Sequence, residues 1–146
     1  MTIWDKIVKG LATLGGVILG FLGGWNAMLT ILACVMVVDY GTGLIVAGFG
    51  KSPKTANGGI SSNIGFLGLA KKGFIILIVF LATLLDKAIN NTTFVFQMAT
   101  TAYYIANEGI SILENAGLMG VPIPPIIKNA LETMKKKGEE EKPKDE

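Results

Sequence analysis

Two carboxylates lie where carboxylates are costly. Asp39 interrupts the apolar run from Ala27 to Phe49, and Glu108 lies near the middle of the run from Phe94 to Ala116. At the centre of a bilayer each would cost about 2.5 kcal/mol or more if it faced lipid. Both therefore need protein or water around them. Glu108 has polar company. Gln97, Thr101, Tyr104, Glu108, Ser111 and Asn115 follow one another at spacings of four, three, four, three and four, which lays all six along one helix face. The chain has no arginine and no histidine, and its lysines read as loop and flank residues, so none is expected at the depth of the two acids. Three ways of meeting the charge remain open: protonation, hydrogen bonds from Asn107, Thr42 or Tyr40, or a wet interior.

Paired carboxylates can do general acid–base work, but no cluster of substrate-binding polar groups accompanies these two, which disfavours an intramembrane hydrolase. Without histidine the usual general base and the commonest metal ligand are missing. The single cysteine, Cys34, lies inside an apolar run, so neither a disulfide framework nor a zinc site is expected. It reads as a small packing or lipid-facing residue. Nucleic acid is not an expected partner either, because the net charge is only +2 and no basic stripe is interleaved with aromatics. Neither an enzyme nor a cofactor is expected. The polar stripe has two readings, a pore or lesion wall formed on assembly and a static seam between helices. Two carboxylates exceed what a seam needs, which favours the first.

The elements that must position these groups follow from the distribution of charge. The 146 residues are 51% hydrophobic and 16% charged, where soluble domains are about 25% charged. Between residues 10 and 50 the only ionised side chain is Asp39, while residues 128–146 carry six lysines and six acids. Such segregation indicates an all-α membrane protein with three to four transmembrane helices in one domain, residues 1–137.

The spans are expected at about 7–25, 27–49, 73–89 and 94–116. The uncharged part of the first would reach only about 24 Å against about 30 Å of hydrocarbon, so Ile7 and Val8 must join it and Lys9 must snorkel. No small-x-small cleavage pattern follows it, and the segment is expected to be retained. The third is also short and needs to extend through Ile89, with Asp86 and Lys87 near the interface. Residues 50–72, rich in Gly, Ser, Asn and Lys, read as an extramembrane loop, and Gly23-Gly24-Trp25-Asn26 reads as the turn of an antiparallel hairpin. The lysines of that loop, the N-terminal flank and the C-terminal tail place both termini in the cytoplasm by the positive-inside rule.

Pro122 and Pro124 stop the fourth helix. A short amphipathic helix is expected at about 125–137, with Ile126, Ile127, Ala130, Leu131 and Met134 on one face, suited to the membrane surface. Residues 138–146 are expected to be disordered. Gly16, Gly20 and Gly24 recur every four residues and offer a groove for close helix packing, either within the hairpin or between copies.

Several motifs fall together in order: Asp39-Tyr40-Gly41-Thr42-Gly43, then Gly65, Gly68 and Lys71-Lys72, then Asn107-Glu108, with a Pro-x-Pro segment after them. Over roughly residues 30–135 the chain resembles the toxin-secretion and phage-lysis holin family of Gram-positive bacteria and their phages. The resemblance implies a small protein of the bacterial cytoplasmic membrane that forms homo-oligomers in the lipid bilayer. It further implies lesions that pass a lytic enzyme or a toxin, with an antiholin as a possible partner. Family members are often drawn with three spans, so the four here depart from that pattern on the N-terminal side. A small ion channel or transporter subunit, or an antiholin-like regulator, is the competing reading. A transporter would call for an internal repeat, and none is detectable.

Overall fold

Helix ends in this chain are set by side chains that satisfy orphan backbone groups. A computed structural model describes residues 1–140 and contains five α-helices and, among the described residues, no strand. Thr2 and Asp5 form a capping box at the start of α1 (Ile3–Phe21). Gly23 (φ +77°) and Gly24 (φ +90°) end it, and a side chain at Gly23 would meet the Phe94 ring at 2.9 Å. Asn26 caps α2 (Ala27–Gly48), its Oδ1 accepting from the Leu29 N–H at 3.0 Å. Ser61 caps α3 (Ser62–Ala88). Next come α4 (Val95–Leu118) and α5 (Pro125–Glu140), the latter opening on a proline whose missing N–H is harmless in a first turn.

The largest departure from expectation is α3, which begins at Ser62 and not near residue 73. The loop is therefore confined to the stretch ending at Ser61, and Lys71 and Lys72 are helical. Gly65 and Gly68, which suggest a loop by composition, are small because Tyr40 of α2 lies against them. A Cβ at Gly65 would sit 3.4 Å from the Tyr40 hydroxyl, and one at Gly68 would sit 3.8 Å from its ring. With 27 residues α3 reaches about 40 Å. It needs no extension to cross a bilayer.

By length and composition α2 and α3 qualify as membrane spans, with mean hydropathies of 2.0 and 2.1. The charged first turns of α1 and the polar stripe of α4 hold those two helices below the same mark. α4 is the hub, packing against α2, α3 and α5. The expected α1–α2 hairpin does not close. Its turn forms, but α1 packs only on α3, where Phe21 meets Phe80 edge-on at 6.2 Å and Lys87 lies over the Phe21 ring. None of the residues of α1 is buried.

α5 is helical through Glu140, so the expected disorder is corrected for residues 138–140; residues 141–146 lie outside those described. It runs back along α4, with Leu131 against Gly109 and Gly138 against Tyr103. Ile126, Ile127 and Met134 of its apolar face stay exposed.

Burial is inverted relative to a soluble globule. Thr83, Thr101 and Asp86 are the largest fully buried side chains, while Val37, Ile45, Phe74, Leu77 and Leu81 are exposed. An apolar exterior around a partly polar interior suits hydrocarbon as solvent. The apolar part of the core joins Leu29, Leu32 and Met36 of α2 to Val79 of α3 and Ile105 of α4.

At the end of the bundle where α1 leads into α2, a buried network closes the core. Phe94, at the N-cap of α4, has a left-handed backbone and supplies no capping side chain. Asp86 of α3 caps α4 instead, accepting from the N–H groups of Phe96 at 3.0 Å and Gln97 at 2.8 Å, and from Asn91 Nδ2 at 3.1 Å. A carboxylate suits the positive end of the helix dipole. Gln97 then donates to the Leu22 carbonyl and to Thr83 Oγ1 and accepts from Asn26 Nδ2. Four helices meet in this one node.

Replacing Asp86 by Ala strands two backbone N–H groups and should lower unfolding stability in detergent by about 3 kcal/mol. Asp86→Asn should lose less. An unchanged denaturation midpoint for Asp86→Ala would show that the carboxylate is not what caps α4.

Candidate functional site: a buried ion triad beneath a cavity

Asp39, Lys72 and Glu108 come from three different helices and meet at one level. Each lies roughly nine or ten residues, about 15 Å, from the end of its helix next to the 49–61 loop. Lys72 Nζ donates to Asp39 Oδ2 at 2.8 Å and also to Glu108 Oε2. Side-chain exposures are 13% for Lys72, 12% for Asp39 and 7% for Glu108. A lysine at the depth of the two acids is what the sequence reading did not expect. It follows directly from the early start of α3, which turns a loop lysine into a core one. Ser61, Gly65, Gly68 and Lys72 are spaced four, three and four, a helical period that could have shown this.

The surrounding bonds hold the acids in place. Asn115 Nδ2 donates to Thr42 Oγ1 at 3.0 Å and makes long contacts to the Asp39 carbonyl and carboxylate at 3.4 and 3.5 Å. Thr42 Oγ1 donates to the Asp39 carbonyl. Tyr40 turns away from Asp39 and donates to the Gly65 carbonyl at 3.4 Å, tying α2 to α3. Of the hydrogen-bond donors considered, Thr42 bonds only the Asp39 backbone and Tyr40 bonds Gly65; the charge is met instead by an ion pair with Lys72, which is not among the three ways left open by the sequence.

The triad borders a cavity of about 640 Å³ between α2, α3, α4 and the 49–61 loop. That loop is held by its own bonds, Ser52 N–H to the Gly58 carbonyl at 3.0 Å and Thr55 Oγ1 to the Gly59 carbonyl at 2.8 Å. A side chain at Gly58 (φ +74°) would collide with the Gly50 carbonyl. Asp39, Tyr40, Gly43, Gly65, Gly68, Lys71, Lys72, Asn107 and Glu108 all line the cavity. Nine of the eleven motif residues from Asp39 to Glu108 thus converge here; of the other two, Gly41 does not line the cavity and Thr42 holds Asn115.

The six-residue stripe of α4 does not act as one surface. Gln97 and Thr101 belong to the opposite node, with Thr101 Oγ1 donating to the Gln97 carbonyl at 2.7 Å. Tyr104 is half-buried beside Tyr103 and the apolar core. Glu108, Ser111 and Asn115 border the cavity. Of the three packing glycines, Gly16 and Gly20 have open space where a Cβ would stand, and Gly24 lies beyond the helix in a turn. Sequence reasoning missed Thr83, Asn26 and the capping role of Asp86. Among the described residues no group of acids, cysteines or histidines is arranged to hold a metal ion.

Two acids sharing one amine in a largely apolar bundle form a charge set that is expensive to break. Lys72→Met should cost about 3–5 kcal/mol of stability in detergent by leaving two uncompensated carboxylates. Combining it with Asp39→Asn and Glu108→Gln should restore most of the loss. A single Lys72→Met variant that unfolds at the wild-type midpoint would rule out the triad as a structural element.

Comparison with known proteins places this chain in a family. Residues 16–136 match the model of the bacteriophage holin family. An uncharacterized 14.9 kDa protein of Clostridium perfringens, from the nagH 3' region, is 38% identical over 135 residues, covering 92% of this chain and 97% of that protein. An uncharacterized protein of Halalkalibacterium halodurans, BH0965, is 39% identical over 144 residues, covering 94% and 99%. A probable holin of Bacillus phage phi105 is 30% identical over 126 residues, covering 86% and 87%. No solved structure matches. With a family model spanning most of its length and a phage relative carrying the same name, the chain belongs to the bacteriophage holin family.

Proposed function

We propose that the protein is a holin in the full sense, accumulating in the bacterial cytoplasmic membrane and then oligomerising into lesions that release a lytic enzyme or a toxin. The observation that carries this reading is the Asp39–Lys72–Glu108 triad, a charged set enclosed in an apolar bundle with one negative charge in excess. In the resting protein the bundle shields it. In an assembly the same groups gain a shared aqueous lumen, and hydration replaces shielding. The membrane partner is supported by family membership and by the apolar exterior of α2 and α3.

Orientation follows from charge. Lys51, Lys54 and Lys71 lie toward the end of the bundle that carries the 49–61 loop, which we assign to the cytoplasm. α5, which packs along α4, is assigned in the bilayer to a position lifted from α4 onto the membrane surface. Beside Tyr103 its Lys135–Lys137 run would reach hydrocarbon depth, where each lysine costs about 2.5 kcal/mol or more. The exposed Ile126, Ile127 and Met134 can instead enter the interface.

Induced expression in bacteria, with and without a cytoplasmic muralytic enzyme, tests the reading through culture density and membrane potential. Abrupt lysis that requires the enzyme is expected. Slow depolarisation with the enzyme retained would point to a small ion channel instead.

Glu108→Leu and Asp39→Leu each remove charge that the lumen would hydrate, and should delay or abolish lysis at unchanged membrane accumulation. Wild-type timing in both variants would exclude the mechanism. Gly20→Leu fills the open face of α1 and should shift cross-linked oligomers to smaller sizes. An unchanged distribution would remove α1 as an interface.

A further inference from the structure

We propose that α5 folds down along α4 when lesions form, and that its charged outer face lines the aqueous passage. This role rests on the lesion reading above and adds the segment that supplies the wall. The two helices are shaped to fit one another. A Cβ at Gly109 of α4 would lie 3.0 Å from the Leu131 methyl groups, and a Cβ at Gly138 of α5 would lie 3.0 Å from the Tyr103 Cβ. A glycine on each helix thus receives a bulky side chain of the other. The two contacts are separated by residues 103 to 109 on α4 and 131 to 138 on α5, about 10 Å on either helix. The helices therefore run antiparallel in a single register. Close packing against glycine is the kind of contact that holds helices together in a bilayer. Between them, residues 119–124 form a non-helical hinge with Gly120 at φ +82° and prolines at 122 and 124.

The docked helix turns charge outward. Asn129, Thr133, Lys136, Lys137 and Glu140 stand at i, i+4, i+7, i+8 and i+11, along one helix face, and all five are exposed. The register sets Lys136 and Lys137 level with Tyr103 and Tyr104, near the middle of α4 and roughly 20 Å from its Leu118 end. Lysine stems are too short to snorkel from that depth to either interface. Lipid therefore rejects the docked position, and only water can face the stripe. On the membrane surface α5 would leave the Gly109 and Tyr103 contacts unmade. Helices that fit each other closely, yet cannot meet in lipid, need an aqueous setting at bilayer depth, and a lesion supplies it. The polar residues of α4 at 97, 101, 108 and 115 are buried in the bundle, whereas those of α5 already face outward.

The test uses the full chain in bacterial membranes, with Cys34→Ser removing the native thiol. Tyr103→Cys with Gly138→Cys sets two Cβ atoms 3.0 Å apart when α5 is docked, within a few tenths of an ångström of disulfide spacing, about 3.5–4.5 Å. Membranes are oxidised before and after the onset of lysis. The cross-linked share should rise at least about tenfold at onset, a ten-to-one shift of the docked population against the surface one. Gly109→Leu collides with Leu131 and should delay lysis at unchanged membrane accumulation, and adding Leu131→Ala should restore the timing. Lys135→Leu, Lys136→Leu and Lys137→Leu together make docking compatible with lipid, so the cross-link should then form before onset. Full cross-linking before onset with the lysines in place would overturn the proposal. So would wild-type timing in Gly109→Leu, or a triple leucine variant that still cross-links only after onset. Lysis without any cross-link would remove this proposal alone, whereas a chain that never lyses cells would remove the lesion reading and this role with it.

Discussion

Two carboxylates and one ammonium in an apolar bundle constrain everything around them. Desolvating an ion costs several kcal/mol even after relaxation, and an ion pair recovers this only with good geometry and further hydrogen bonds. Lys72 has to reach both Asp39 and Glu108, which fixes the axial register of α3 against α2 and α4. Asn115 and Thr42 then fix the rotation of α4 against α2. Glycine at 65 and 68 lets Tyr40 lie close to α3. The cavity is the space left where these three helices part beneath the loop.

The opposite end of the bundle solves a different problem with the same means. There the unsatisfied groups are backbone N–H groups at the start of α4, and Asp86, from a different helix, supplies the cap. Gln97 then links α4 to the α1 C-cap, the α2 N-cap and Thr83 of α3. Between the two polar nodes lie Leu32, Met36, Val79 and Ile105. Polar groups at both ends define the register, and apolar side chains pack the space between them.

Of the outer helices α1 is attached far more lightly, whereas α5 packs closely along α4. α1 has no buried residue and touches α3 mainly around Phe21, while Leu22 beyond its end is held by the Gln97 node. α5 meets only α4. The helices tied to one another by buried polar contacts are α2, α3 and α4, which carry the family motifs. Where lipid is the solvent, apolar surface gives little drive for helices to associate, and specific polar contacts and close packing have to supply it. α1 has few of either within the monomer.

The sequence by itself determined the helical membrane class, the positions of most helices, the two costly carboxylates and the motif residues that turn out to surround one cavity. These are legible because hydrophobic runs, helical spacing and proline stops act locally along the chain. Only the tertiary structure decided that Lys72 neutralises Asp39 and Glu108, that Gln97 and Glu108 serve opposite ends of the bundle, and that Asp86 caps a helix other than its own. The physical reason is the same in each case. A glycine- and lysine-rich stretch looks like a loop until Tyr40 of another helix accounts for the glycines, and a charge looks unpaired until another helix brings its counter-ion. Pairing across helices depends on register and rotation, and a one-dimensional pattern carries neither.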